Sequence, residues 1–201
     1  MALSTEEKIK AAARTVFHTK GFAATKTRDI AKEADINLAL LNYYFRSKEK
    51  LFQIIMLDSI HVLFQSILPI FFEEETNLFE KIEKFVGCYI DKLKTDPEIP
   101  LFILSELQRN PMVIMEQVPF REIFESSVFH KQFELAVEQK EIHSISYYHF
   151  IMNLAGLTVF PFIGKPVFSQ VGQLTKEDFS NLMEERKKLI PRWIKEMLVV
   201  Q

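Results

Sequence analysis

With one cysteine in 201 residues, Cys88, no intrachain disulfide can form, so packing and hydrogen bonding must hold this chain together. Cys88 lies in an apolar helical run with Phe85, Val86 and Tyr89 and reads as a small core residue. Only five glycines are present, none in a phosphate-cradling loop, and no segment alternates apolar and polar residues as a strand would. The five histidines (His18, His61, His130, His143 and His149) include no pair three or four residues apart, and no His-Glu-x-x-His occurs. No catalytic residue, metal ligand or cofactor is therefore assigned, and an enzyme is not expected. The chain opens on polar, helix-initiating residues instead of an apolar leader. No run of about 18 uncharged apolar residues stands out, so neither a spanning helix nor a membrane partner is expected, and a cytoplasmic location fits.

What is present is helix-forming sequence with a large apolar share, 48% of residues. Of the 19 phenylalanines only Phe17, Phe22, Phe45 and Phe52 precede residue 53, so most of the aromatic core belongs to the later part. Charge divides the same way. Residues 1–52 hold ten Lys/Arg against six Asp/Glu; the rest hold fifteen against twenty-one. A basic head on an acidic body suits a protein that meets phosphate at one end, although scattered surface charge would give a similar split.

Local signals place the helices. Ser4-Thr5-Glu6-Glu7 has capping-box spacing, Ile9, Ala12, Ala13, Val16 and Phe17 follow at helical period, and Lys20-Gly21 ends that helix with a left-handed glycine. Two short helices are predicted at about 27–34, capped by Thr27, and 38–44, capped by Asn37. A long one starts at Ser47 and runs to Pro69 or a little beyond, and another covers 77–94. Asp96-Pro97 and Asn110-Pro111 mark two further helix starts. Helices at about 120–140 and 145–160 follow, then a loop from Gly164 to Gly172, then a terminal helix opened by the Thr175–Asp178 box, with a kink or break expected at Pro191.

The stretch from Thr25 to Phe52 is the informative one. Ile30 and Ala34 share an inward face, Ala31 is small enough for a close helix approach, Asp35 tolerates left-handed backbone at the turn, and Ile36 plugs the core. Two short helices so joined form a helix-turn-helix, whose second helix enters the DNA major groove. Thr27, Ile30-Ala31, Ala34, Tyr44-Phe45 and Lys48-Glu49-Lys50-Leu51, with Ala13 to Phe22 before them, resemble the DNA-binding domain of the TetR (tetracycline-repressor-like) family. The family often has Gly where this chain has Asp35 and Ala39, and Tyr where it has Asn42. The last two departures change the groove-facing surface, so the operator sequence cannot be borrowed from relatives.

The resemblance implies an all-α chain: a helix-turn-helix domain over 1–47, then a helical ligand-sensing and dimerisation domain over 48–201. The implied function is a ligand-responsive regulator, a repressor by expectation. It would bind an inverted-repeat double-stranded DNA operator as a homodimer and be released by a small apolar or amphipathic inducer. The rival is a helical ligand carrier or protein-interaction module without DNA binding. Phosphate contacts are expected from Thr27, Arg28, Tyr44 and Lys48, although Tyr44 is as well suited to packing and Lys48 to plain solvation. Lys48 stands in the first turn of a helix capped by Ser47, where free N–H groups attract phosphate. Base reading is expected from Leu38, Ala39, Asn42 and Tyr43. Polar groups that could face a ligand cavity are His61, Gln65, Glu106, Arg109, His149 and Asn153, with Arg109 equally able to pair with a neighbouring acid. A dimer face is expected from Ala155, Gly156, Leu182, Ile190, Trp193, Ile194 and Met197, since the family pairs its last two helices across the dimer.

Overall fold

Ser4 opens the first helix as its spacing to Glu7 predicts: its Oγ accepts the Glu7 N–H at 3.2 Å and the Glu7 carboxylate accepts the Ser4 N–H at 2.8 Å. The computed structural model describes residues 3–116 and 118–199. Within them the backbone is helical without a named strand, and the chain packs as two units, one through His61 and one from Val62 onward.

In the first unit, α1 (Thr5–Ala24) is interrupted at Gly21, whose φ of 73° and ψ of 163° lie in the mirror-extended region that glycine alone enters readily. The expected stop is there, but not in the left-handed helical form, and a further turn follows it. The Thr25 hydroxyl donates to the Gly21 carbonyl at 2.7 Å and fixes the exit. α2 (Thr27–Glu33) packs on α1, and α3 (Leu38–Phe45) on α2. α4 (Lys48–Phe72) begins at the Ser47 cap, whose Oγ accepts the Lys50 N–H at 3.1 Å. Ile9, Ala13, Phe17, Ile30, Leu41, Phe45, Leu51 and Ile55 form the core of this unit. The first half of α4 thus belongs with the head by packing, and the two units divide between His61 and Val62. Arg14 donates to Ser59 Oγ at 2.9 Å within the same unit.

α4 is also long and apolar enough to cross a membrane by length and hydropathy, which the sequence reading did not anticipate. Its apolar positions Leu51, Ile55, Ile60, Leu63, Ile67 and Phe71 are buried against protein.

The second unit holds α5 (Leu78–Thr95), α6 (Ile99–Arg109), α7 (Met112–Met115), α8 (Phe120–Glu125), α9 (Val128–Glu138), α10 (Tyr147–Ile163), α11 (Lys165–Val171) and α12 (Lys176–Leu198). Several differ from expectation. Asp96 closes α5, and α6 starts at Ile99 with Pro100 in its first turn. The single helix expected at 120–140 is two, because Ser127 caps a new start: it accepts the His130 N–H at 3.1 Å and donates to the Ile123 carbonyl at 2.8 Å. The expected loop at 164–172 is mostly α11. Gly164 ends α10 and permits the 59° bend into α11, since a Cβ there would lie 2.7 Å from the Phe168 ring. α12 runs unbroken through Pro191.

The phenylalanines pack on one another. Phe71 meets Phe85 and Phe129 at 5.8 and 5.3 Å between ring centres, Phe129 meets Phe150 at 5.6 Å, and Phe133 stacks on Phe150 at 4.8 Å. Each such ring taken out of water contributes about 1.5–3 kcal/mol, so aromatic abundance here is core. α12 packs chiefly on α5, joined by Lys94–Glu184 and Lys187–Asp91 ion pairs, and also on α10. The segment after α9 is tied to the end of α12, where His143 N–H donates to the Leu198 carbonyl at 2.7 Å and Ile142 bridges Val199.

Candidate nucleic-acid interface

The turn between α2 and α3 is built entirely from local hydrogen bonds. Asp35 takes φ 53°, its N–H donates to the Lys32 carbonyl at 3.2 Å, and the Ile36 N–H reaches back to the Ala31 carbonyl at 3.0 Å. That pair of bonds, with an apolar residue following the left-handed one, is a Schellman closure with Asp in the place glycine usually holds. Asn37 Oδ1 then accepts the Leu40 N–H at 2.8 Å and starts α3. Asp35 carries the turn that the sequence assigned to it.

The start of α2 differs by one residue from the reading. The cap position is Lys26, and its N–H donates to the Asp29 carboxylate at 3.1 Å, so Thr27 is the first helical residue and not the cap. Lys20 also pairs with Asp29, at 3.2 Å. The Lys26 N–H, followed by Lys20, holds the Asp29 carboxyl below the usual carboxylate range.

α3 buries Leu41 and Phe45, one turn apart, against the head. This fixes what faces out. Ala39, Asn42 and Tyr43 are exposed, Tyr43 to 80%, and Leu38 is half-buried beside them. Ala39, Asn42 and Tyr43 share one face at i, i+3, i+4 spacing. Tyr44 is exposed at 40% and stands edge-on to Tyr43, 5.4 Å between ring centres, so it is not absorbed into the core. Arg28 is exposed and Thr27 half-buried.

Lys48 is not the free cation that its position suggests. Its Nζ donates to the Phe22 and Thr25 carbonyls, each at 3.0 Å, and stands 4.3 Å above the Phe22 ring. Phe22 in turn packs with Phe17 and Phe52 at 5.9 and 4.5 Å. Two of the three ammonium N–H groups therefore close the end of α1, leaving at most one for phosphate. No sequence signal pairs residues 22 and 48; their proximity is a product of the fold.

The six candidate ligand groups differ in exposure. His61 and Gln65 are exposed on α4, and His149 and Asn153 on α10. Asn153 Nδ2 lies 3.4 Å from Met197 Sδ. Arg109 is exposed and pairs with Glu106 at 2.6 Å, the alternative the sequence offered. Glu106 alone is buried, and its second carboxylate oxygen has no hydrogen-bond partner among the described residues. None of the six lines the cleft beside His130 and Tyr147, the groove beside Gly156 and Leu182, or the cleft beside Asn77 and Gln132.

The dimer-face set divides. Leu182, Trp193 and Met197 are exposed on α12, Gly156 is exposed on α10, and Ala155 is half-buried. Ile190 and Ile194 are fully buried and cannot meet a partner; they belong to the row Met183, Ile190, Ile194 and Leu198 that α12 turns to its own core. Tyr148, Met152 and Phe160, which the sequence reading did not include, extend the exposed apolar face of α10 at four- and eight-residue spacing. Between α10, α11 and α12 lies an apolar groove of about 340 Å³ that includes Gly156, Phe160, Leu182 and Leu189.

Comparison with known proteins places this geometry. Residues 9–55 match the family described as bacterial regulatory proteins, tetR family. The chain is 26% identical over 172 residues to the probable HTH-type transcriptional regulator YttP of Bacillus subtilis (strain 168), covering 85% of this chain and 83% of that one. Its fold is similar to PfmR, a TetR family transcriptional regulator from Thermus thermophilus, with a TM-score of 0.63 at 16% identity over 92% of this chain and 97% of that one. It is likewise similar to HlyIIR, a hemolysin II transcriptional regulator, with a TM-score of 0.57 at 21% identity over 98% of each chain. Residues 9–55 thus carry a head that matches the tetR family, on a chain similar to a HTH-type transcriptional regulator through most of its length.

Proposed function

We propose that the chain is a cytoplasmic repressor that binds an inverted-repeat DNA operator as a homodimer and leaves it when a small apolar or amphipathic ligand binds the body. The observation that carries this reading is the division of α3: Leu41 and Phe45 anchor it, so Ala39, Asn42 and Tyr43 are left outward with Leu38 beside them. These four read base edges. Thr27, Arg28, Tyr44 and the remaining N–H of Lys48 position the head on phosphates. A single short helix reads few bases, and a two-fold dimer doubles the site. The exposed apolar residues of α10 and α12 supply the surface for that pairing.

Groove faces recur at about 34 Å along one side of DNA, so two heads fit only within a narrow separation. A ligand that favours a different separation weakens DNA binding, and DNA weakens the ligand equally. The test is a gel shift on the DNA upstream of the chain's own coding sequence, followed by titration of ligands found by thermal shift. Two-to-one binding to an inverted repeat that a ligand reverses is the expected result. Absence of DNA binding would leave a helical ligand carrier, and ligands that bind without changing operator affinity would leave the body a dimerisation scaffold.

A further inference from the structure

At the N-terminal end of α10 an open cleft of about 500 Å³ is walled by Phe124, Glu125, His130, Glu134, Tyr147 and Tyr148. Its walls combine two chemistries. Phe124 and Tyr148 stack at 5.4 Å with 22° between planes, Tyr147 stands edge-on to Phe124 at 6.1 Å, and the His130 ring lies 4.5 Å from Tyr147. Glu125 and Glu134 supply carboxylates, and neither Lys nor Arg is among the lining residues. Glu125 pairs with Arg121 at 2.9 Å, both largely in solvent, and Glu134 lies 3.5 Å from His130 Nε2. Exposed pairs of this kind hold their partners weakly, so both carboxylates can turn to a guest.

Tyr147 forms the buried part of the wall: it is 3% exposed, and burial pushes its phenol pKa up, offset in part by the Ser127 hydroxyl beside it.

We propose that this cleft binds an organic cation with a flat amidinium or ammonium head, held over the Tyr148 and Phe124 rings between the Glu125 and Glu134 carboxylates. Aromatic faces attract cations through the ring quadrupole, and the two acids set the sign of charge the cleft accepts. The cleft also includes Ser144, Ile145 and Ser146, in the segment tied through His143 and Ile142 to the end of α12. Occupancy therefore acts on the start of α10 and the end of α12 together. An effect on dimer pairing through them rests on the reading proposed above; binding to the cleft does not.

The test is calorimetric titration of the free full-length protein with benzamidine and, separately, with the uncharged benzamide of the same shape. Benzamidine is expected to bind saturably and at least about tenfold tighter than benzamide. E134Q and E125Q should each weaken it about fivefold, and Tyr148→Ala should weaken it by a similar factor while circular dichroism shows the fold intact. Glu196→Gln, an exposed acid on α12, should change nothing. Equal binding of the two probes, no saturation at millimolar concentration, or affinity indifferent to the three cleft variants each overturns the proposal. No DNA is present, so these outcomes are separate from failure to bind an operator.

Discussion

Lys48 closes the end of the first helix by reaching Phe22 twice, donating to its carbonyl at 3.0 Å and covering its ring at 4.3 Å. A residue expected to hold DNA is thus first a clamp within the head. Lys48→Ala should cost about 1–2 kcal/mol of stability, since a half-exposed charged donor and a cation–π contact are lost together. Thermal unfolding followed by circular dichroism checks this, and Lys48→Met, which keeps the stem, should lose only part. Operator affinity should fall for all sequences alike. A variant as stable as the parent would show that the clamp is dispensable.

Asn42 faces outward from α3 with no role in the core. Its side chain can donate to and accept from adenine in one bidentate pair. Asn42→Ala should leave the unfolding midpoint unchanged while changing which operators bind, by about 1–3 kcal/mol at one base step. Fluorescence anisotropy against a panel of single-base operator variants measures it. Uniform weakening across the panel would instead assign Asn42 to backbone positioning.

Asp29 caps α2 through the Lys26 N–H and also meets Lys20. Its pKa is depressed in the folded head, so the sign is that of a carboxylate: the contribution is present above the unfolded value of about 3.9 and fades as pH falls through the lower folded value. Amide hydrogen exchange in α2 should therefore accelerate on acidification below about pH 4, and Asp29→Asn should remove that pH step. An Asp29 carbon chemical shift that titrates at the ordinary value would contradict the cap.

α12 offers an internal control. Ile194 is fully buried whereas Trp193 beside it is exposed at 38%. Ile194→Ala should destabilise the fold by about 2–5 kcal/mol, the range for a buried aliphatic truncation. Trp193→Glu and Met152→Glu should leave the fold intact and shift sedimentation from dimer to monomer. A stable dimer in both acidic variants would move the pairing surface elsewhere.

Sequence alone determined the helix starts whose hydrogen bonds close within three or four residues: Ser4 with Glu7, Asn37 with Leu40, Ser47 with Lys50, Thr175 with Asp178. It determined the left-handed turn at Asp35 for the same reason, and the outward set on α3 because the apolar period leaves one face over. Where a local choice had two close competitors the reading slipped: Asp29 reaching back moved the cap from Thr27 to Lys26, and Ser127 divided a helix whose apolar period continues across it. Tertiary structure decided the rest. Lys48 lies on Phe22 across 26 residues, and α12 carries apolar residues on two sides, so periodicity cannot say which side meets α5. Packing assigned Ile190 and Ile194 to the core and left Leu182, Trp193 and Met197 outside. A period records that a face is apolar; only the neighbour that arrives from elsewhere in the chain settles what covers it.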